Sequence, residues 1–138
     1  PGVVHHELSH VLLALLSGAE VTRVVPFKAS HADGRLGYVS YVPRGPGVLQ
    51  GVQRALSGIA PVPCGLVTMS LLYTLALPAA TGWGRAVVWY LMASVVLHMD
   101  LSPSDWRGAG SGLPAVSVVL FLAATVFFLV SRVSFAAP

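Results

Sequence analysis

Near the start of the chain, within PGVVHHELSHVLLALLSG, His6, Glu7 and His10 stand in the order H-E-x-x-H. On a helix, positions i and i+4 lie one turn apart on one face, so both imidazoles can offer a ring nitrogen to a single zinc ion. Glu7 lies about 100° round the helix from His6. From there its carboxylate reaches a water on the metal without being a ligand, as a general base must. The plain structural alternative is a polar helix start, with Glu7 near the positive end of the helix dipole. Acidic residues are scarce here, with Asp and Glu totalling 5 in 138 residues. A carboxylate in an apolar helix is costly unless paired or functional, which favours the chemical reading. His5 lies off the paired face and reads as a solvated histidine or a support for the ligands.

A hydrolytic zinc site needs a third protein ligand and an open position for water. No downstream glutamate can serve, because the only other one is Glu20. The longer metzincin pattern also fails, with Leu13 in place of its glycine and Leu16 in place of its last histidine. The candidates are His31, Asp33, His98, Asp100 and Asp105, and Asp105 has the best context. Ser102 and Asp105 also make an S-x-x-D capping box, a structural reading of the same carboxylate. The single cysteine, Cys64, excludes an internal disulfide or a multi-cysteine metal site and reads as a small buried hydrophobe.

Composition sets the solvent in which these residues work. Hydrophobic residues make up 55% of the chain and charged residues 9%, against about 25% charged in an ordinary soluble domain. With a mean hydropathy of +0.77, this is the composition of an integral membrane protein. The expected fold is an all-α polytopic membrane domain of about four hydrophobic helices, one of them broken, with a small β-hairpin between the first and second. The elements read as the H-E-x-x-H helix at 1–18, a hairpin or interfacial segment at 20–45 turning at Asp33-Gly34, and a broken helix and span at 48–77. A span at 83–99, a polar aspartate segment at 100–112 and a last span at 113–131 follow. The first residues lack the basic start and cleavage site of a signal peptide, and an opening Pro suggests a fragment or processed product.

HHELSHVLLALLSGA at the head of a hydrophobic helix, a hairpin-like segment after it, the break SGIAPVPCG, and SPSDWRG between hydrophobic blocks together resemble the site-2 protease family of intramembrane zinc metallopeptidases. The resemblance covers about the first 110 residues and describes a divergent, minimal member, since Asp105 is followed by Trp106 where the family has glycine. It implies His6 and His10 as zinc ligands, Glu7 as catalytic base and Asp105 as the third ligand. The implied reaction is zinc-dependent hydrolysis of a peptide bond in or near a transmembrane segment of a membrane-protein substrate.

Three simple spans would leave His6 and Asp105 on opposite membrane faces. One shared ion requires the first helix to continue upstream of Pro1 and the 100–112 segment to fold inward as non-helical backbone lining a wet cavity. Arg23, Lys28, Arg35, Arg44, Arg54 and Arg107 fall on the Gly18 side, against Arg85 and Arg132 on the other, so the site is expected to open toward the cytoplasm. A helical substrate must be unwound before attack, and Tyr38, Val39, Ser40 and Tyr41 are candidates to receive it by strand addition, or else form an amphipathic interfacial hairpin. The expected partners are the bilayer and a transmembrane substrate. Nucleic acid is not expected, because the net charge of +3 comes from scattered arginines. The rival readings are a catalytically inactive scaffold of this fold and a non-proteolytic metal-binding membrane protein.

Overall fold

Helix α1 (Gly2–Leu16) closes on Gly18, whose φ of +83° suits a residue without a β-carbon. There the Ala19 N–H donates to the Ala14 carbonyl (2.9 Å) and the Gly18 N–H to that of Leu15 (3.0 Å), the paired bonds of a Schellman turn. This is a computed structural model that describes residues 1–27 and 36–136, with side chains described as far as Ser131. From the turn the chain enters β1 (Glu20–Val25), which pairs antiparallel with β2 (Tyr38–Val42) from Glu20↔Val42 to Val25↔Tyr38, with a register shift between Val21 and Arg23. The expected Asp33-Gly34 turn lies outside the described residues, as do Lys28, His31 and Arg35.

Helix α2 (Gly47–Ile59) ends at Ala60, and α3 (Pro61–Leu71) restarts with proline in its first turn, where the missing N–H costs nothing. A π-helical turn (Leu72–Ala76) and the short α4 (Leu77–Ala79) continue it. The Leu77 N–H reaches back to the Leu72 carbonyl, five residues away. That widened turn makes room for the ring of Pro78, which would collide with the carbonyl four residues before it in a regular helix. Helix α5 (Trp83–Leu97) returns the chain, and α6 (Pro103–Ala136) follows.

The polar segment expected at 100–112 is thus helical from Pro103 onward, and non-helical backbone is confined to the connection at 98–102. Its glycines mark close packing instead of an open loop. A β-carbon on Gly112 would stand 2.2 Å from the Gly51 carbonyl oxygen, and one on Gly58 would stand 2.6 Å from the Ala109 nitrogen. Residues Gly51, Ala55 and Gly58 of α2 therefore meet Ala109, Gly112 and Ala115 of α6 backbone to backbone, with the helices antiparallel. Small residues at this spacing are how helices approach closely in lipid.

Around α1 gather α2, α3, α5 and both strands, whereas α6 packs its backbone against α2 and reaches α1 through the Asp105 side chain. The largest fully buried side chains are Gln53, Pro61 and Ser57, while Trp83 (89%), Leu97 (76%) and Phe127 (75%) are exposed. Small residues inside and large apolar ones outside make a surface suited to lipid. Among the described residues, two helices are long and apolar enough to cross a membrane, Pro61–Ala79 and Pro103–Ser131. Helices α1 and α5 are apolar but have 15 residues each, about 22 Å by helical rise, so of the four expected spans two have the length. Gln53 ties the halves together: its Oε1 accepts the Arg44 backbone N–H (2.8 Å), and its Nε2 donates to the Ser17 carbonyl at the end of α1 (2.9 Å).

Candidate metal centre

Three elements bring His6, His10 and Asp105 together. Helical spacing stacks the two imidazoles on one face of α1, with Nε2 to Nε2 at 3.1 Å. The α2–α6 seam then delivers the first turn of α6, so that Asp105 Oδ2 lies 3.5 Å from His6 Nε2 and Oδ1 lies 3.4 Å from His10 Nε2. Both readings of Asp105 hold at once. The Ser102 N–H donates to Oδ2 (2.8 Å) and the Asp105 N–H to the Ser102 hydroxyl (3.3 Å), a reciprocal cap that also fixes the carboxylate where the histidines meet it. The positive end of the α6 dipole favours a negative charge in this first turn.

The far side of each imidazole is equally determined. His6 Nδ1 lies 2.7 Å from the His98 carbonyl and His10 Nδ1 lies 2.6 Å from the Ser57 carbonyl. A carbonyl only accepts, so both Nδ1 atoms carry their protons and both Nε2 lone pairs turn inward. With both rings neutral, two lone pairs and a carboxylate converge, an arrangement that could hold a cation. A tetrahedral ion at about 2.0–2.1 Å from each donor implies donor separations of about 3.3 Å. The two imidazole nitrogens stand 3.1 Å apart, and each faces a different oxygen of the Asp105 carboxylate, Oδ2 at 3.5 Å for His6 and Oδ1 at 3.4 Å for His10, so a single carboxylate oxygen must shift slightly to complete that geometry. The donor set, two imidazoles and one carboxylate within 4.8 Å of one another, suits zinc and leaves a fourth position open. No protein-family model matches the chain, and no curated protein or solved structure is significantly similar to it.

Glu7, buried at 8% exposure, lines the same cavity of about 430 Å³ as His6, His10 and Asp105. Tyr38, Val39 and Tyr41 line it as well. Ser40 is exposed, and its carbonyl accepts the Thr22 hydroxyl (3.1 Å), outside the cavity. Asp100 lines the cavity but is not part of the three-residue cluster. The His98 ring turns to the Ser94 carbonyl (2.8 Å), so this residue serves the site through its backbone. His5 faces elsewhere, with Nε2 2.9 Å from the Thr68 hydroxyl beside a second cleft between α1 and α3. His31 and Asp33 lie outside the described residues.

Sequence reasoning missed the two orienting carbonyls, which leave no trace in residue type. It also missed Gln53 and the Gly58 contact with Asp105. An amide in an apolar helix and the small-residue spacing Gly51, Ala55, Gly58 were the available signals.

Proposed function

We propose that this chain is a zinc-dependent endopeptidase that hydrolyses a peptide bond in or near a transmembrane segment of another membrane protein, in the manner of the site-2 protease family. The observation that carries the reading is the inward convergence of His6 Nε2, His10 Nε2 and the Asp105 carboxylate, with both Nδ1 atoms committed to carbonyls. Glu7, one residue from a ligand and in the same cavity wall, distinguishes a hydrolytic site from one that merely holds metal. When bound, zinc supplies Lewis acidity to a scissile carbonyl and makes water nucleophilic near neutral pH.

The remaining chemistry belongs to the chain. Glu7 takes the proton of the attacking water and returns it to the leaving amine. Ser102 holds the Asp105 carboxylate, while the His98 and Ser57 carbonyls hold the imidazoles, so little reorganisation is needed during reaction. Among the described residues strand β2 pairs with β1 alone, which leaves an edge for an unwound segment to join beside Tyr38 and Tyr41. The protein is proposed to be multi-pass, with α1 and α5 as membrane elements beside the two longer helices and the site opening on the arginine-rich, cytoplasmic side.

The deciding experiment measures zinc per chain and cleavage of a helical single-span membrane substrate on the same detergent-purified samples. Wild type is expected to carry one zinc and cleave, Glu7→Gln to keep the metal and lose cleavage, and Asp105→Ala to lose both. A zinc-free wild type, or normal cleavage by Glu7→Gln, overturns the proposal in favour of a scaffold.

A further inference from the structure

The hairpin touches the site at one residue that the mechanism above does not use. Gly37 sits immediately before β2, next to the closing pair Val25↔Tyr38. A β-carbon built there would stand 2.8 Å from Glu7 Cγ, 3.0 Å from Glu7 Oε1 and 2.9 Å from the Val25 carbonyl oxygen. Real β-carbons do not approach other atoms so closely, so the hairpin backbone lies directly on the stem and carboxylate of Glu7. The other glycines that crowd the site act on different groups: Gly58 meets the Asp105 carbonyl and Gly2 meets the His98 ring. Among the described glycines, Gly37 alone has Glu7 among the atoms nearest its β-carbon position.

We propose that Gly37 is a positioning residue for Glu7: its bare backbone braces the glutamate side chain from the hairpin side and sets where the carboxylate stands relative to His6 and His10. The inference rests on reading Glu7 as the base. It goes further in assigning the placement of that base to the hairpin and not to α1 alone. Residue 37 is continuous with β2, the strand whose free edge is proposed to receive substrate. A change in that strand on docking is therefore felt at the carboxylate without passing through the metal ligands.

Two measurements test the brace. The first needs no activity: the Tm of zinc-loaded protein in detergent is compared for wild type, Gly37→Ala, Glu7→Ala and the double variant. Gly37→Ala is expected to lower Tm, and removing the Glu7 side chain in that background is expected to recover most of the loss. Should Gly37→Ala fail to fold, the double variant carries the test by folding. A double variant that shows no recovery, or does not fold, assigns the crowding to the Val25 carbonyl and overturns the proposal.

The second measurement takes zinc per chain together with kcat and KM on the helical single-span substrate. Gly37→Ala is expected to hold one zinc while kcat falls about a hundredfold, the scale expected of a displaced catalytic group, with KM nearly unchanged. Glu7→Asp, shorter by one methylene, is expected to cost less in the Gly37→Ala background than in wild type. Additive effects, a wild-type rate for Gly37→Ala, or loss of its zinc would each sink the idea. A wild type that binds no zinc, or a Glu7→Gln that cleaves, instead defeats the underlying protease reading and is recognised before any Gly37 variant is made.

Discussion

Adjacent histidines on α1 have opposite surroundings. His6 faces a carboxylate, a second imidazole and a backbone carbonyl at the meeting point of α1, α5 and α6. His5, one residue earlier, faces the Thr68 hydroxyl on α3 beside a largely apolar cleft that includes Leu8, Leu12, Leu13, Pro63 and Val67 as well as Ser9 and Cys64. Both rings are half-buried in the same apolar helix. What separates them is about 100° of rotation, which decides whether a side chain meets convergent polar groups or a single interhelical hydrogen bond. A histidine in an apolar helix thus becomes a candidate ligand only where neighbouring elements complete the set.

Substitutions that remove the ligand face should break the contrast most severely. His6→Ala and His10→Ala are each expected to abolish zinc binding and cleavage, measured by metal analysis and substrate turnover, because two donors cannot hold the ion tightly. Glu7→Gln comes next: zinc content stays at one per chain while kcat drops by about 10²–10⁴, the usual worth of a positioned base. Gly58→Val probes the seam that delivers Asp105. A β-carbon there lies 2.7 Å from the Asp105 carbonyl oxygen, so the first turn of α6 must move. Zinc affinity by competition with a chelator is expected to weaken about 10–100-fold, as when a support to a metal ligand is lost.

On the other face of α1 the expected effects are small. His5→Ala should leave zinc content and kcat unchanged and cost about 1 kcal/mol of stability in detergent unfolding, the scale of one interhelical hydrogen bond in a membrane protein. Loss of metal in His5→Ala would show that the two faces are not separable.

The H-E-x-x-H helix, the two strands and the break before Pro61 were legible because each has a local signature: i, i+4 spacing, β-branched runs, and proline after a small-residue stretch. The adjacency of Asp105 was not legible from spacing. About 95 residues separate it from His10, and only the resemblance of SPSDWRG to a known pattern pointed there. Residues 103–112 misled because glycines spaced for helix contact look, in one dimension, like a loop. Their meaning depends on Gly51 and Gly58, half a chain away. Gly37 was similarly opaque, since a glycine after a turn region has an ordinary local explanation and its contact with Glu7 exists only once the hairpin folds back.

The carbonyls of Ser57 and His98 belong to the main chain, so replacing either side chain leaves the acceptor in place. Alanine scanning should therefore report both positions as nearly silent for metal affinity, although each holds an imidazole. His98 can change identity as long as the end of α5 keeps its path, and Ser57, fully buried, can change to a residue of similar size. Selection at these two positions is thereby shifted from residue type to helix geometry, and the chain around them can drift in sequence while the candidate metal-binding face stays the same.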